Sequence, residues 1–355
     1  MGGSSFGRIL RLATFGESHG RALGLILDGV PAGLDLGGED IQKELDRRRP
    51  GQSPLSSPRQ ETDRVELCSG IFEGKTTGAP LGMIVYNQDA RSGDYENIKD
   101  KFRPGHADYG WFKKFGLRDY RGGGRSSGRE TLARVAAGAV AKKLLGRRGV
   151  VITAYTQRAA GISCGAFDPG EIEKNPLRAP DAQAAALMAD RIEALMARGD
   201  SAGGIVECRV RGLPPGLGEP VFDKLDAQLA KAVLSIGGVK GIEFGEGFAA
   251  ADLTGSQNND PMDEKGFLSN HAGGVLGGIS TGGELFFRAA VKPTASIALP
   301  QTTRDSQGRK VSLAIAGRHD PCLCPRVAVV VEAMTALVLE DFFLLQAARG
   351  GFPQN

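Results

Sequence analysis

The segment GESHGRALGLILDGVPAGL (residues 16–34) aligns without a gap on GDSAGGIVECRVRGLPPGL (residues 199–217). In both copies, glycines and a proline flank a run that predicts a strand between two turns. The positions identical in both copies, numbered in the first, are Gly16, Ser18, Gly20, Gly29, Pro31, Gly33 and Leu34. Because an amphipathic helical stretch follows each copy, we interpret the pair as a duplicated unit. Chance similarity in a glycine-rich chain is the alternative.

One mismatch in this repeat indicates chemistry. His19 stands where the second copy has Ala202. Alanine would serve a purely structural turn, so the imidazole of His19 points to another role. The duplication predicts a single domain over residues 1–355, composed of two related halves, roughly 1–150 and 151–355.

Periodic apolar segments predict the remaining elements. A helical period is present at 129–145, 180–198, 222–235 and about 327–348. Short runs typical of strands lie between these segments, at 23–27, 81–86, 150–155, 205–210 and 285–291. Because strands and helices alternate without a long linker, we expect an α/β or α+β fold.

The composition excludes several classes of protein. With 41% hydrophobic residues among 355, the chain can bury a sizeable core, and its 52 glycines have no collagen-like period. A net charge of +3 is too small for a typical nucleic-acid-binding domain, so no nucleic-acid partner is expected. The sequence has no signal-peptide pattern or apolar membrane span, which predicts a cytoplasmic protein without membrane contact.

The four histidines all lie in polar strings rich in glycine or proline. These strings are GESHG (His19), FRPGHADYG (His106), SNHAGG (His271) and AGRHDPC (His319). Imidazole exchanges protons near neutral pH, so His19 and His106 are candidates for acid–base chemistry. A structural role is the alternative for both, and it is favoured for His271 and His319. The spacing matches no metal motif, and no metal site is predicted.

The segment RDYRGGGRSSGRE (residues 118–130) runs directly into the helix predicted at 129–145. Its glycine amides, hydroxyls and arginines are the groups that bind phosphate at a helix N-terminus. A flexible loop with solvated arginines, or an RNA-binding segment, is the alternative. The chain has neither a P-loop nor the GxGxxG spacing. We therefore expect a phosphate-handling enzyme with histidine acid–base chemistry. The Gly/Ser/Asn strings GSQNND and KPTAS supply further amides and hydroxyls, which suit a ligand with a phosphate and a ring system, such as a flavin mononucleotide.

In their order along the chain, these strings closely resemble those of the chorismate synthase family. The resemblance covers essentially the whole sequence and includes RRRPGQS, GSQNND and KPTAS. It implies the short, monofunctional bacterial type, a carbon–oxygen lyase acting on phosphates in the shikimate pathway of aromatic amino acid biosynthesis. The implied reaction is the anti-1,4-elimination of phosphate from 5-enolpyruvylshikimate 3-phosphate, which yields chorismate and requires reduced FMN without net oxidation or reduction. A phosphate-binding regulatory protein on the same scaffold is the alternative function.

The resemblance also implies roles for individual residues. His19 corresponds to the histidine that protonates the departing phosphate, and His106 to the one that protonates the reduced flavin near N1. Asp320 corresponds to an aspartate near flavin N5, which helps this nitrogen to accept the proton removed from carbon 6. The implied substrate anion ligands are Arg48, Arg129 and Arg134.

The implied cofactor contacts are spread over the chain. They are Arg125, Ser126, Ser127, Gly237, Gly238, Gly277, Lys292, Pro293, Thr294, Ala295, Ser296 and Arg318. The sequence departs from the family pattern at Pro54, where many bacterial members have an arginine of the nucleotide and substrate site. It also has Gly237–Gly238 in place of Asn-Ala and Ala295 in place of serine, changes that would loosen flavin binding slightly.

For the whole molecule, the resemblance implies an α+β fold, a β-α-β sandwich with an internal pseudo-two-fold repeat. It further implies a homotetramer that acts on a small-molecule substrate. An external flavin reductase would supply the reduced FMN, with NADPH involved only indirectly, in flavin reduction.

Overall fold

Four helices lie where the apolar periodicity predicts them. The α-helix at Gly38–Arg48 is the helical stretch expected, without bounds, after the first repeat copy, and those at Asp108–Phe115 and Gly255–Asn258 were not predicted. The computed structural model describes residues 2–89, 92–315 and 319–352. One of the predicted helices begins at Asp181, whose side chain accepts hydrogen bonds from the amides of Gln183 and Ala184. The α-helices in these ranges are α1 (Gly38–Arg48), α2 (Asp108–Phe115), α3 (Thr131–Gly146), α4 (Ala182–Ala197), α5 (Leu225–Leu234), α6 (Gly255–Asn258) and α7 (Cys324–Ala348). Short 3₁₀ helices cover Ser92–Ile98, Gly124–Ser126, Gly128–Glu130, Pro169–Glu171 and Gly247–Asp252.

The longer strands form two five-stranded antiparallel sheets. The strands of the described residues are β1 (Ser5–Phe6), β2 (Arg11–Gly16), β3 (Ala22–Asp28), β4 (Val65–Leu67), β5 (Ile71–Phe72), β6 (Lys75–Thr76), β7 (Leu81–Tyr86), β8 (Val151–Ala159), β9 (Ile162–Ser163), β10 (Gly204–Arg211), β11 (Val239–Phe244), β12 (Met262–Asp263), β13 (Gly266–Phe267), β14 (Val275–Leu276), β15 (Ile279–Ser280), β16 (Leu285–Val291), β17 (Gln301–Arg304) and β18 (Lys310–Leu313). The first sheet has the order β1-β2-β3-β7-β4, and the second has the order β11-β16-β10-β8-β9. The remaining strands pair as two-stranded hairpins.

The two large sheets have matching connectivity. The strand of the first repeat copy, β3, lies between β2 and β7, and the strand of the second copy, β10, lies between β8 and β16. Two aligned glycine pairs, Gly16 with Gly199 and Gly29 with Gly212, have positive φ values between 72° and 90°. Residues with a side chain rarely adopt this backbone conformation, so both copies require glycine where the chain turns. These matches support the predicted duplication.

Helices fill the space between the two sheets. α3 packs on the first sheet and α7 on the second, and the two helices pack against each other. A Cβ on Gly138 of α3 would lie 2.4 Å from the Cβ of Ala333 of α7, so the two backbones are in close contact. α1 lies beside α3, and α5 lies beside α7. The predicted α+β class and β-α-β sandwich are confirmed.

A buried charge cluster joins these helices. Glu332 of α7 is 2% exposed, and its Oε2 lies 2.7 Å from Nη1 of Arg47 on α1 and 2.9 Å from Nζ of Lys142 on α3. The amide of Ala154 on β8 donates to Oε1. Burial by itself raises the pKa of Glu332, but Lys142 and Arg47 lower it to about 2. The carboxylate therefore stays charged and connects elements of both halves.

Some observed boundaries differ from the predicted ones. The strand predicted at 150–155 continues to Ala159, and the helix predicted at 222–235 begins only at Leu225. Phe222 precedes this helix and is 91% exposed. The backbone of Lys224 is not helical, so the helix begins after it, and the apolar period alone does not reveal this boundary. Over the described residues, we find no helix with the length and apolar character needed to cross a membrane.

Candidate active site

A cavity of about 590 Å³ opens where loops of both halves meet. The first half lines it with the β2–β3 turn and with residues of the segments 103–107 and 122–131. The second half contributes residues of 234–240 and 292–296 and the start of α7. Ligand sites commonly have volumes of about 300–1,000 Å³, so the cavity is large enough for a cofactor-sized ligand.

His19 lies in the turn that joins β2 to β3. The side-chain amide of Asn87 donates to the carbonyls of Glu17, at 3.1 Å, and Gly20, at 2.7 Å, and so holds both ends of the turn. The imidazole contacts the ring of Tyr95 edge-on, with the two ring centroids 4.9 Å apart. His19 is 8% exposed and lines the cavity, which gives the ring a fixed position.

The surroundings of His19 keep its imidazole neutral. Burial, and after it the positive charge of Arg59, lowers the pKa of His19 to about 4, while Asp119 has the opposite effect. Arg121 and Arg129 lower the pKa further. A bound dianion would offset the charge of these arginines. The pKa of His19 would therefore rise when a phosphate group enters the cavity.

Buried carboxylates hold two arginines of the cavity wall. Nη2 of Arg59 lies 2.6 Å from Oε1 of Glu61, and Nη1 of Arg129 lies 2.7 Å from Oδ1 of Asp63. Burial by itself raises the pKa of Asp63, but Arg48 and Arg129 lower it to about 2. Asp63 therefore stays charged, and the two guanidinium groups are fixed where they can meet an anionic ligand.

His106 lines the cavity from the loop before α2. Its Nδ1 lies 2.9 Å from Oδ1 of Asp108, and Oδ2 of the same carboxylate lies 2.8 Å from Nε of Arg103. Burial lowers the pKa of His106, and Arg103 lowers it further, whereas Asp108 raises it. Because the net shift is downward, the imidazole is mostly neutral at pH 7.

Asp320 lines the cavity from the segment before α7. Its Oδ1 accepts a hydrogen bond from the amide of Ser57, at 2.9 Å, and its Oδ2 accepts one from Nη1 of Arg326, at 2.5 Å. The hydroxyl of Thr294 donates to the carbonyl of Asp320, at 2.7 Å. His319 also lines the cavity, and burial lowers its pKa to about 4. A fixed carboxylate thus stands beside a third imidazole of the cavity.

A glycine run brings backbone amides next to both histidines of the first half. Gly122 and Gly123 have φ values of 65° and 87°. A Cβ on Gly122 would lie 2.3 Å from the ring of His19, and one on Gly123 would lie 3.2 Å from Cε1 of His106. Glycine is required at this close approach, and consecutive amides in such a loop form an anion-binding surface.

This combination of fold and cavity has counterparts among known proteins. The family model described as chorismate synthase matches residues 10–344. The chorismate synthase of Chloroflexus aurantiacus is 57% identical to this chain over 98% of the chain and 96% of that protein. The chorismate synthase of Syntrophobacter fumaroxidans is also 57% identical, over 97% of this chain and 98% of that protein. A crystal structure of chorismate synthase superposes with a TM-score of 0.77 at 31% identity, covering 98% of this chain and 94% of the other. The chain belongs to the chorismate synthase family.

Membership of the chorismate synthase family settles the class of reaction. The protein is a carbon–oxygen lyase of the shikimate pathway, which eliminates phosphate from 5-enolpyruvylshikimate 3-phosphate to give chorismate. The family, the reaction and the enzyme class predicted from the sequence are therefore confirmed. Nothing in the comparisons supports the alternative, a phosphate-binding regulatory protein.

The cavity brings together most of the site residues that the chorismate synthase resemblance implies. Those that line it are His19, His106, Asp320, Arg129, Ser126, Ser127, Gly237, Gly238, Lys292, Thr294, Ala295 and Ser296. They come from distant parts of the sequence, so the fold supplies their proximity.

Three arginines implied as ligands are directed to other partners. Nε of Arg134 lies 2.8 Å from Oε2 of Glu130, and Nη2 of Arg125 donates to the hydroxyl of Thr14, at 2.7 Å. Arg48 is fully buried, and its Nη2 lies 2.5 Å from Oδ2 of Asp63. None of these arginines is among the described residues that line the cavity. Their ligand contacts stay predictions.

Four further positions need separate mention. Gly277 lies in the turn of the β14–β15 hairpin, and neither it nor Pro293 is among the described residues that line the cavity. Arg318 lies outside the described residues. Pro54 is exposed on the loop after α1. The cofactor contacts implied for Gly277, Pro293 and Arg318 stay predictions.

Sequence reasoning missed several residues of the cavity wall. They are Ser18, Arg59, Tyr95, Arg103, Lys240 and Arg326. Arg103 stands in the string that was singled out for His106, so this string was the available signal. His319 was named from the sequence but given a structural role, and it lines the cavity. Arg59 follows no glycine run and precedes no helix, and nothing local distinguishes it from a surface arginine.

Proposed function

We propose that the cavity holds reduced FMN and 5-enolpyruvylshikimate 3-phosphate together, and that the chain supplies the proton transfers of the elimination. One observation carries this proposal. His19, His106 and Asp320 come from separate parts of the chain and line one cavity beside two arginines that buried carboxylates hold. General acid–base groups need this proximity to the reacting atoms before their pKa values matter.

The donor set of the cavity fits a flavin mononucleotide. Ser127, Ser296 and Lys292 line the cavity with groups that can donate to a phosphate or a polar ring edge. The hydroxyls of Ser126 and Thr294 donate to the carbonyls of Gly123 and Asp320, so toward a ligand they can act as acceptors. Nδ1 of His19 is buried without an aligned hydrogen-bond partner, as expected where a polar ligand completes the site. We assign these hydroxyls and Lys292, with Gly237 and Gly238, to holding the cofactor. Reduced FMN, when bound, lends electron density to the substrate without net oxidation or reduction.

The chain handles protons at two sides of the cavity. His19, next to Arg59 and Arg129, is neutral in the free protein because of its pKa of about 4. A phosphate dianion between these groups raises that pKa, so His19 takes up a proton as the substrate binds and releases it to the departing phosphate. The two arginines stabilise the charge that develops on this leaving group. His106 and Asp320 are assigned to the flavin side.

The proposed assembly is a homotetramer. The outer face of the first sheet carries Phe15, Ile26 and Tyr86, which are 47%, 48% and 40% exposed. An apolar patch of this kind on a sheet is typical of a surface that another protein chain covers. We propose that a second copy covers it, and light scattering combined with gel filtration tests the number of chains.

Three further features rest on the sequence and its family resemblance. We propose a cytoplasmic location, a separate flavin reductase that supplies reduced FMN, and an NADPH requirement confined to that reductase. The single domain of two halves is likewise proposed, and it is supported by the matching strand order of the two sheets.

The deciding experiment is anaerobic turnover with chemically reduced FMN. With 5-enolpyruvylshikimate 3-phosphate present and NADPH absent, we expect chorismate and inorganic phosphate in equal amounts. Oxidised FMN in air serves as the control and should give neither product. Absence of both products with reduced FMN would contradict the proposal.

A further inference from the structure

Behind His106 lies a buried carboxylate that the proposed function does not use. Asp108 is 3% exposed and begins α2. Its Oδ1 lies 2.9 Å from Nδ1 of His106. Arg103 binds both carboxylate oxygens, with Nε 2.8 Å from Oδ2 and Nη2 2.9 Å from Oδ1, and Nη1 of Arg118 lies 3.2 Å from Oδ1. The carboxylate is therefore fixed, with one oxygen next to the imidazole.

We propose that Asp108 is the positioning residue of His106: it accepts the hydrogen of Nδ1 and leaves Nε2 as the proton-exchanging atom of the cavity. This inference rests on the proposed function, in which His106 transfers a proton. A neutral imidazole carries one N–H, so the location of this hydrogen decides which nitrogen faces the ligand as an acceptor. The N–H does not point straight at Oδ1 in this structure, and such hydrogen bonds often straighten when the ligand binds.

The charges around His106 favour this arrangement. Besides Asp108, charged or titratable groups that act on the ring are Arg103, Lys292 and His319. Arg103 and Lys292 are cationic and lower the pKa of His106, and His319 is neutral near pH 7. Asp108 is the anionic member of this group. It therefore stabilises an N–H on the nitrogen that faces it.

A purely structural role of Asp108 is the competing explanation. Its carboxylate also anchors Arg103 and Arg118 at the start of α2, and this contact would be lost in any neutral variant. Asp305 offers a matched control. It is 5% exposed, it pairs with Arg309 at 2.7 Å, and it accepts the amide of Gln307, with no histidine among its described partners.

The test is nitrogen NMR of the histidine side chains in the protein without flavin. The chain has four histidines, and the His106→Gln variant identifies the signals of His106. In the unsubstituted protein, we expect the proton of neutral His106 on Nδ1. In Asp108→Asn, the amide donor faces Nδ1, so the proton moves to Nε2 and the titration midpoint of His106 falls. Asp305→Asn should change neither property.

Turnover gives a second readout. Asp108→Asn should lower kcat at least about tenfold, less than the ~10²–10⁴ expected for loss of an acid–base group, with KM for the substrate little changed. Asp108→Glu, which keeps the charge, should recover part of this loss.

Two results would overturn the inference. One is a proton on Nε2 of His106 in the unsubstituted protein, which requires no variant to fold. The other is a folded Asp108→Asn protein whose His106 keeps its tautomer and its midpoint. Because the NMR measurement needs no substrate, an inactive protein with the expected tautomer would contradict the proposed function and leave this inference standing.

Discussion

The two copies of the repeated turn use the same backbone for different purposes. In the first copy, Ser18 and His19 line the cavity. In the second copy, the amide of Ala202 donates to the carbonyl of Pro321, at 2.8 Å, and the hydroxyl of Ser201 donates to the carbonyl of Thr294, also at 2.8 Å. The first turn contributes side chains to the cavity, whereas the second holds the segments that carry other residues of the cavity.

This difference shows how two similar turns can contribute unequally to one cavity. Both turns precede the middle strand of a five-stranded sheet. The first turn places the imidazole of His19 in the cavity, at the position where the second has Ala202. The other copy keeps its small residue, which is 4% exposed and fits under the segment around Pro321.

The largest expected effect comes from making the first turn resemble the second. His19→Ala should lower kcat by about 10²–10⁴ while FMN affinity and the fold are retained, because the departing phosphate loses its proton donor. Steady-state kinetics and flavin titration measure both quantities. Unchanged turnover would remove His19 from the mechanism and leave the two turns equivalent.

The pH dependence of stability should also differ between the turns. The pKa of His19 is about 4 in the folded state and about 6.5 in the unfolded state, so between these values the unfolded chain binds more protons. His19 thus contributes stability that is complete above pH 6.5 and is lost as the pH falls to 4, about 3 kcal/mol in all. Urea unfolding at pH 7 and pH 4.5 should show a smaller pH effect in His19→Gln. Equal pH effects in the two proteins would count against the depressed pKa.

The close approach of Gly122 to the ring of His19 gives a third prediction. Gly122→Ala would place a Cβ 2.3 Å from the ring of His19, and the displaced imidazole should cost about 10²-fold in kcat. Gly116→Ala is the matched control, because Gly116 has a similar φ of 75° but no atom within 4 Å of the added Cβ. If both variants lose the same activity, backbone strain and not the position of His19 explains the loss.

The smallest effect is expected for the supporting turn. Ser201→Ala removes the hydrogen bond to the carbonyl of Thr294, which should cost about 0.5–1.5 kcal/mol of unfolding free energy and weaken FMN binding a few-fold. Thermal unfolding and flavin titration measure these changes. Ser269→Ala, which removes a hydroxyl from a remote loop, is the control for flavin binding. A rate loss as large as that of His19→Ala would contradict the division of roles between the turns.

Local patterns predicted α3, α4, α5 and α7 and five of the longer strands, but they gave no bounds for α1 and did not predict α2, α6, β2 or β11. The repeat identified β3 and β10, and its single histidine singled out His19. The glycine run at 122–124 marked the loop that approaches this ring. These features depend on backbone conformation and on periodicity, which neighbouring residues encode.

Local sequence patterns could not predict which groups the arginine side chains contact. Arg48 and Arg134 were implied as ligands, yet they end in ion pairs with buried or half-buried carboxylates. Arg59 was missed and lines the cavity. A long side chain turns toward whichever carboxylate the tertiary fold brings near, and that partner is distant in sequence.

The buried carboxylate of Glu332 has a consequence for how the protein is made. It lies on the last helix, while Arg47 and Lys142, which it binds, belong to the part synthesised first. Until the ribosome has released α7, these two cations lack their deepest partner, and one wall of the cavity does not exist. The residues of the first half therefore cannot enclose the complete cavity before α7 has packed against α1 and α3.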